Sequence, residues 1–344
     1  MEKTVERKRI VYFDVLNVLA CLCVVGMHCN GAVHAFSDSS VWRQSLLVDV
    51  LAYWAVPVFI MLSGATLMRY RERYTTKEFL RRRFLKTGIP LVVWTAVFYV
   101  YYRAEGTITW TGWRALLNSL INFTIVPVYW FFSPLFLVYL SLPVLSRLSD
   151  DRRVLWYMTG LGFASCSVLP FVCSALQLTY WGNFAFPMLG GYLIFAVLGY
   201  LLYTTELSLW QRIVLYALGA FGAVVRYFHT AIASVQEGAI NKLTWEHRPT
   251  VLLAAAVFVF VKYACRYPLF QREKFVRLVK WLSGASFGIY LIHVFIMEQI
   301  TYRFSINTLS GWWRLFGAFA VYFVALLLVK VLQKIPYVGK CLFP

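Results

Sequence analysis

This sequence predicts an all-α fold: a polytopic membrane protein of about ten transmembrane helices with both termini cytoplasmic. Three observations carry that prediction. First, 60% of the 344 residues are hydrophobic and 14% are charged, with a mean hydropathy of +0.66, whereas soluble domains carry about a quarter charged residues. Second, apolar stretches recur from residue 10 to residue 333 with no polar or Gly/Ser/Pro-rich linker between them, which implies a single domain over residues 1–344. Such runs are too long for barrel strands, and helices are the other way to satisfy backbone polar groups in lipid. Third, the 33 Lys and Arg residues are spread unevenly between alternate connections.

Runs of about 20 apolar residues, the length that crosses a bilayer core, mark the spans in order. The first covers residues 10–29. The basic residues before Ile10 resemble the start of a signal peptide, but the long apolar run without a small-residue cleavage site predicts a retained span. The second covers 45–68, where Pro57 is placed to bend the helix and Ser63 and Gly64 leave room near its inner end. The third covers 84–103, and residues 111–120 then predict a short helix lying on the outer surface. Further spans follow at 128–147, 153–172, 183–203, 209–228, 249–266, 281–300 and 311–333. With the N-terminus inside, the inner connections hold 25 Lys/Arg and the outer ones 8, and that excess sets the orientation. It also accounts for the net charge of +18 without nucleic acid as a partner. The seven cysteines show no CxxC pair and no alternating Cys/His spacing, so they read as small packing residues, with no metal and no disulfide framework implied.

Ionisable groups inside a span are costly and mark functional candidates. Asp14, Asn17, Cys21 and His28 recur at helical spacing in the first span. The steps from Asn17 to His28 turn roughly 1100°, close to three full turns, so these residues share a stripe along which the two lie roughly 16 Å apart. A stripe facing the bundle interior can line a path between the two aqueous sides; equally, Asp14 can pair at the inner boundary and His28 sit at the interface. His293 lies near mid-membrane on a segment that also carries Ser286, Tyr290 and Glu298, and whether structural or catalytic it needs hydrogen-bond partners there. Between Arg69 and Lys86 the chain carries its densest basic segment, including Arg81, Arg82 and Arg83. That density suits a polyanion such as the phosphates of coenzyme A, or anionic lipid. Arg226, His229, His247 and Arg248 are predicted to share one outer loop, either solvated or holding an anionic or sugar acceptor.

Taken together, these segments resemble the membrane acyltransferase 3 family, whose members move acyl groups from cytoplasmic acyl-coenzyme A onto sugars or other acceptors, often at the cell surface. The resemblance spans nearly the whole chain. It rests on the segment from Tyr12 to His28, on Val56-Pro57 through Ser63-Gly64, on Trp130-Phe-Phe, and on Ser286-Phe-Gly-Ile-Tyr290-Leu-Ile-His293. Tyr129 just before Trp130, and the lack of a fused extracytoplasmic hydrolase-like domain, are similar to stand-alone members that acetylate surface polysaccharides or their precursors.

The resemblance implies a multi-pass O-acyltransferase of the cell (plasma or inner) membrane. Its partners would be the lipid bilayer, acyl-CoA (acetyl-CoA in the simplest case) as co-substrate, and a glycan or glycolipid acceptor. His28 would act as general base or transient acyl carrier, tasks that suit an imidazole with an unperturbed pKa of about 6.5. Asp14 would orient the inner end of the first helix, and His293, Ser286 and Tyr290 would form the wall opposite His28. Ser63, Arg9 and the Arg81-Arg82-Arg83 cluster would serve the coenzyme, and Tyr129, Trp130 and Arg226 the acceptor. One position departs from the family pattern. The Arg that usually precedes the histidine by eleven positions is Asn17 here, and an amide lacks the charge and five donors of a guanidinium. Arg9 and the Arg81–Arg83 cluster are the neighbouring candidates to replace it. Two rival readings stay open. A glycolipid or small-anion transporter or flippase is disfavoured by the absence of paired broken helices in repeated halves. A catalytically silent acyl-CoA-binding sensor of the same fold is kept open by Asn17.

Overall fold

The computed structural model describes residues 9–181, 189–240, 250–336, 339 and 342–343, and no strand occurs among them. In chain order the main helices are α1 (Val11–Cys29), α2 (Ser40–Ala52), α3 (Ala55–Leu67), α4 (Thr76–Ala104), α5 (Trp113–Ile121), α6 (Phe132–Leu145) and α7 (Arg152–Phe163). They continue as α8 (Leu169–Ala175), α9 (Leu193–Thr204), α10 (Leu209–Glu237), α11 (Thr250–Ala264), α12 (Glu273–Ser283), α13 (Ser286–Arg303) and α14 (Gly311–Leu332). Seven helical runs among the described residues are long and apolar enough to cross a membrane, or eight if the pair α12–α13, bent by 55°, is one span. The protein is an all-α, multi-pass membrane protein.

The departures from the predicted spans have local causes. The helix expected at 45–68 starts earlier, at Ser40, where the Ser39 hydroxyl accepts from the Trp42 N–H at 3.2 Å. It also breaks in two at Tyr53–Trp54. A proline ring clashes with the carbonyl four residues back in a continuous helix. The break places Pro57 in the first turn of α3, where no N–H is required. The basic segment lies mostly on a helix rather than in a loop, because α4 begins at Thr76 behind the Thr75 cap. Likewise α10 continues to Glu237, so Arg226 and His229 are helical, not part of an outer loop; His247 and Arg248 lie outside the described residues. The spans predicted at 183–203 and 249–266 correspond to α9 and α11, which have 12 and 15 residues. Twelve residues rise only about 18 Å. The short helix predicted at 111–120 is α5, which buries none of its residues.

Helix α1 is central because two of its faces are apolar. Leu16, Ala20 and Val24 join a core with α3, α9 and α11, while Cys21, Val25 and Cys29 join a second with α13 and α14. Outward-facing positions carry large apolar groups, among them Val100, Leu140, Phe221 and Leu327, each more than half exposed, as a surface bathed in lipid requires. Helix α14 shows the inversion plainly: Gly317, Ala318 and Ala325 face in, and Phe316, Phe323 and Leu327 face out. Small inward residues let helix backbones approach.

Two buried cations fasten helix ends. Lys262 of α11 donates to the carbonyls of Leu202, Tyr203 and Thr205 at 2.9, 3.2 and 2.8 Å, acceptors that the end of α9 would otherwise leave unpaired. Lys262→Met keeps the apolar stem and strands these carbonyls, so it should cost about 1–3 kcal/mol. A thermal unfolding midpoint in detergent equal to that of the native protein would refute this. Arg314, at the start of α14, donates to the Val41 carbonyl at 3.1 Å, the Ser45 hydroxyl at 2.9 Å and Gln44 Oε1 at 3.2 Å. Asn30 donates to the Ser45 carbonyl at 2.7 Å. Helix α2 is therefore held from two sides.

Candidate active site

The stripe predicted on α1 packs against α12 and α13. Asn17 Nδ2 donates to Ser283 Oγ at 2.9 Å and to its carbonyl at 3.4 Å, and Cys21 Sγ donates to the Ser286 carbonyl at 3.6 Å. At the far end of the stripe the rings of His28 and His293 lie 5.1 Å apart, centroid to centroid. Between Asn17 and His28 the stripe is thus a packed seam, with Cys21 buried, and its end is where two imidazoles meet.

His293 is 1% exposed, and its Nδ1 lies 2.7 Å from the Tyr290 carbonyl and 3.2 Å from that of Ile289. Carbonyls only accept, so Nδ1 carries the proton and Nε2 presents a lone pair. That Nε2 is buried with no hydrogen-bond partner among the described residues. A buried polar atom left unpaired costs free energy in the empty protein and marks a place where a proton-bearing group belongs. The helix bearing it is braced twice. Tyr129 donates to the Leu291 carbonyl at 2.8 Å, and the Tyr290 hydroxyl donates to the Val128 carbonyl. These two tyrosines lock α13 to the 3-10 turn Pro127–Phe131 that carries Trp130.

A cavity of about 830 Å³ adjoins His28, within the size range of small-molecule sites. Tyr290, Trp130, Tyr192, Tyr53, His34 and Asp49 also line it. Of the residues that the sequence assigns to the acceptor side, Trp130 and Tyr290 reach this cavity. Tyr129 is 1% exposed and lies behind its wall. Ser286 is buried, its hydroxyl unpartnered among the described residues, about two turns of α13 before His293. Arg226 is buried in α10, donating to Thr250 Oγ1 at 2.6 Å with its guanidinium 3.7 Å from the Tyr53 ring centroid.

The residues assigned to the coenzyme lie elsewhere. Asp14 is about 21 Å from His28 along α1 and is gripped by Arg9, whose Nε and Nη2 each donate to it at 2.6 Å. That hydrogen bond raises the Arg9 guanidinium above its ordinary pKa. Arg9 is therefore engaged with the carboxylate of Asp14. Ser63 is turned back onto its own helix, donating to the Phe59 carbonyl at 3.0 Å. Arg82 is paired with Glu78 at 2.8 Å and rests on the Tyr74 ring. Arg81 is exposed, and Arg83 keeps a buried Nε without a partner among the described residues. Sequence reasoning misses Asp49 and Arg314. Asp49 carries a usable signal, a lone acid inside Leu46-Leu-Val-Asp49-Val-Leu.

A family model described as an acyltransferase domain matches residues 10–331. The chain belongs to the acyltransferase 3 family. No curated protein and no solved structure matches it. The protein is accordingly a membrane acyltransferase, and its matched region contains both α1, with His28, and α13, with His293. The Asn17 departure from the acyltransferase 3 pattern has a structural counterpart in its bond to Ser283, which uses the amide to join α1 to α12.

Proposed function

We propose that the protein is an O-acyltransferase that moves a short acyl group, acetyl in the simplest case, from cytoplasmic acyl-coenzyme A to a hydroxyl of an envelope glycan or glycolipid in the plasma or inner membrane. The observation that supports this reading is the His28–His293 pair beside a cavity large enough for a sugar, in a chain of an acyltransferase family. His28 takes the proton of the acceptor hydroxyl as its oxygen attacks the thioester carbonyl. The new C–O bond forms, the C–S bond breaks, and the proton passes to the departing sulfur, so thioester and alcohol become ester and thiol. His293, its Nδ1 proton held by backbone carbonyls, offers Nε2 to steady the imidazolium that His28 becomes. Arg81 and Arg83 serve the coenzyme phosphates, since Arg9 and Arg82 are engaged with carboxylates.

The test is incubation of detergent-purified protein with radiolabelled acetyl-coenzyme A, with and without a crude cell-surface glycan fraction. Release of coenzyme A that depends on the glycan fraction is expected. Binding without release in every acceptor pool would instead identify a silent acyl-CoA-binding protein, and no binding would remove the acyl-CoA reading altogether.

A further inference from the structure

The cavity holds a carboxylate that this chemistry does not use. Asp49 of α2 is 2% exposed, and its Oδ2 has no hydrogen-bond partner among the described residues. The buried Arg226 guanidinium acts on it electrostatically and is itself fixed by Thr250 and the Tyr53 ring. None of these groups supplies that oxygen with a hydrogen bond. A buried carboxylate oxygen left bare in the empty protein is costly, and the side chain that bears it lines the same cavity as His28. It is also preorganised, because Arg314 and Asn30 clamp the helix that carries it.

The missing partner must be a hydrogen-bond donor inside the cavity. An acyl thioester is acceptor-only at its reacting end, whereas a sugar carries hydroxyl donors on the carbons next to the one that reacts. Given the O-acyltransferase reading, on which this step rests, we infer that Asp49 positions the acceptor: its free oxygen accepts from a hydroxyl adjacent to the attacking one and so selects polyols over simple alcohols. Asp49 is then a specificity-determining residue, with Tyr53, one turn further along at the end of α2, beside it on the cavity wall.

The experiment compares two acceptors with the same tail, octyl glucoside and 1-octanol, with acetyl-coenzyme A and the full-length protein in lipid nanodiscs. The readout is the ratio of their kcat/KM values, from which a general loss of activity cancels. The native protein is expected to favour the glycoside, and Asp49→Asn to reduce that preference about tenfold to a hundredfold, the scale of one hydrogen bond to a charged group. Asp49→Glu, which keeps the charge and displaces the oxygens, carries the same test if the amide variant does not fold. A native protein without preference, variants that keep the native ratio, or two variants that both fail to fold would overturn the inference; in the last case Asp49 serves only as the buried counter-ion of Arg226. A native protein that acylates neither alcohol yet releases coenzyme A with the glycan fraction would overturn the inference alone, and one that does neither would sink the O-acyltransferase reading itself.

Discussion

Replacing His28 with alanine should lower acyl transfer by about 10²–10⁴-fold, the contribution of a positioned general base, while the protein remains folded. The side chain borders an existing cavity, so truncating it widens a space already open and leaves the cores of α1 intact. These are built from Leu16, Ala20, Val24, Cys21, Val25 and Cys29. His293 separates the two nitrogens of an imidazole by experiment. Asparagine reproduces the donor that Nδ1 presents to the Tyr290 carbonyl and has nothing at the distal position, so His293→Asn should preserve the helix contact and lose the function of Nε2. If the lone pair on Nε2 matters, His293→Asn is as impaired in transfer as His293→Ala, and each falls by about 10²-fold or more, the lower end of what such a group contributes. Undiminished transfer by His28→Ala in purified protein would remove the catalytic role, and native-like transfer by His293→Asn would confine that residue to packing. Both are read from initial rates with labelled acetyl-coenzyme A, alongside thermal midpoints that report folding.

The polar stripe of α1 is legible in the sequence because helical periodicity is a one-dimensional rule, whereas the placing of His293 opposite His28 is implied by the family resemblance alone. Asn17, Cys21 and His28 fall on one stripe whatever α1 packs against, and the structure places that stripe on α12 and α13. What periodicity does not encode is which helices meet. Nothing local says that Asn17 finds Ser283, or that Arg9 closes on Asp14. Asp49 is hidden for a related reason. The cation that acts on it, Arg226, lies far along the chain at the very end of the predicted 209–228 span, and nothing local says that α10 runs on to Glu237 or that it meets α2. Helix ends are the least legible feature, since the rise from Thr76 to Lys86 is helical through a basic segment that hydropathy alone assigns to a loop.

The largest structural effect is expected at the crossing of α3 and α9. A Cβ on Gly64 would sit 1.8 Å from the Ala196 carbonyl oxygen, and one on Gly199 would sit 2.2 Å from that of Met61. Both obstacles are backbone, which cannot rotate aside as a side chain can, so any larger residue must push the helices apart. Overpacking a core costs about 1–3 kcal/mol where side chains can adjust, and more is expected here, where they cannot. Gly199→Ala should therefore lower the thermal midpoint substantially, and Gly199→Val should yield no monodisperse protein on size exclusion. Gly88 is the matching control. It lies within α4, where an added methyl would meet nothing inside 4 Å, so Gly88→Ala should be neutral or stabilising by up to about 1 kcal/mol through helix propensity. Equal midpoints for the two alanine variants would mean that α3 and α9 do not touch as described. The consequence reaches the site, because the residues leading into α9, Gly190, Gly191 and Tyr192, line the cavity beside His28 and the Tyr192 ring stands 5.8 Å from that of Trp130. Even a folded Gly64 or Gly199 variant should thus bind acceptor more weakly, since forcing α9 outward moves one wall of the cavity while the histidines, carried by α1 and α13, stay in place.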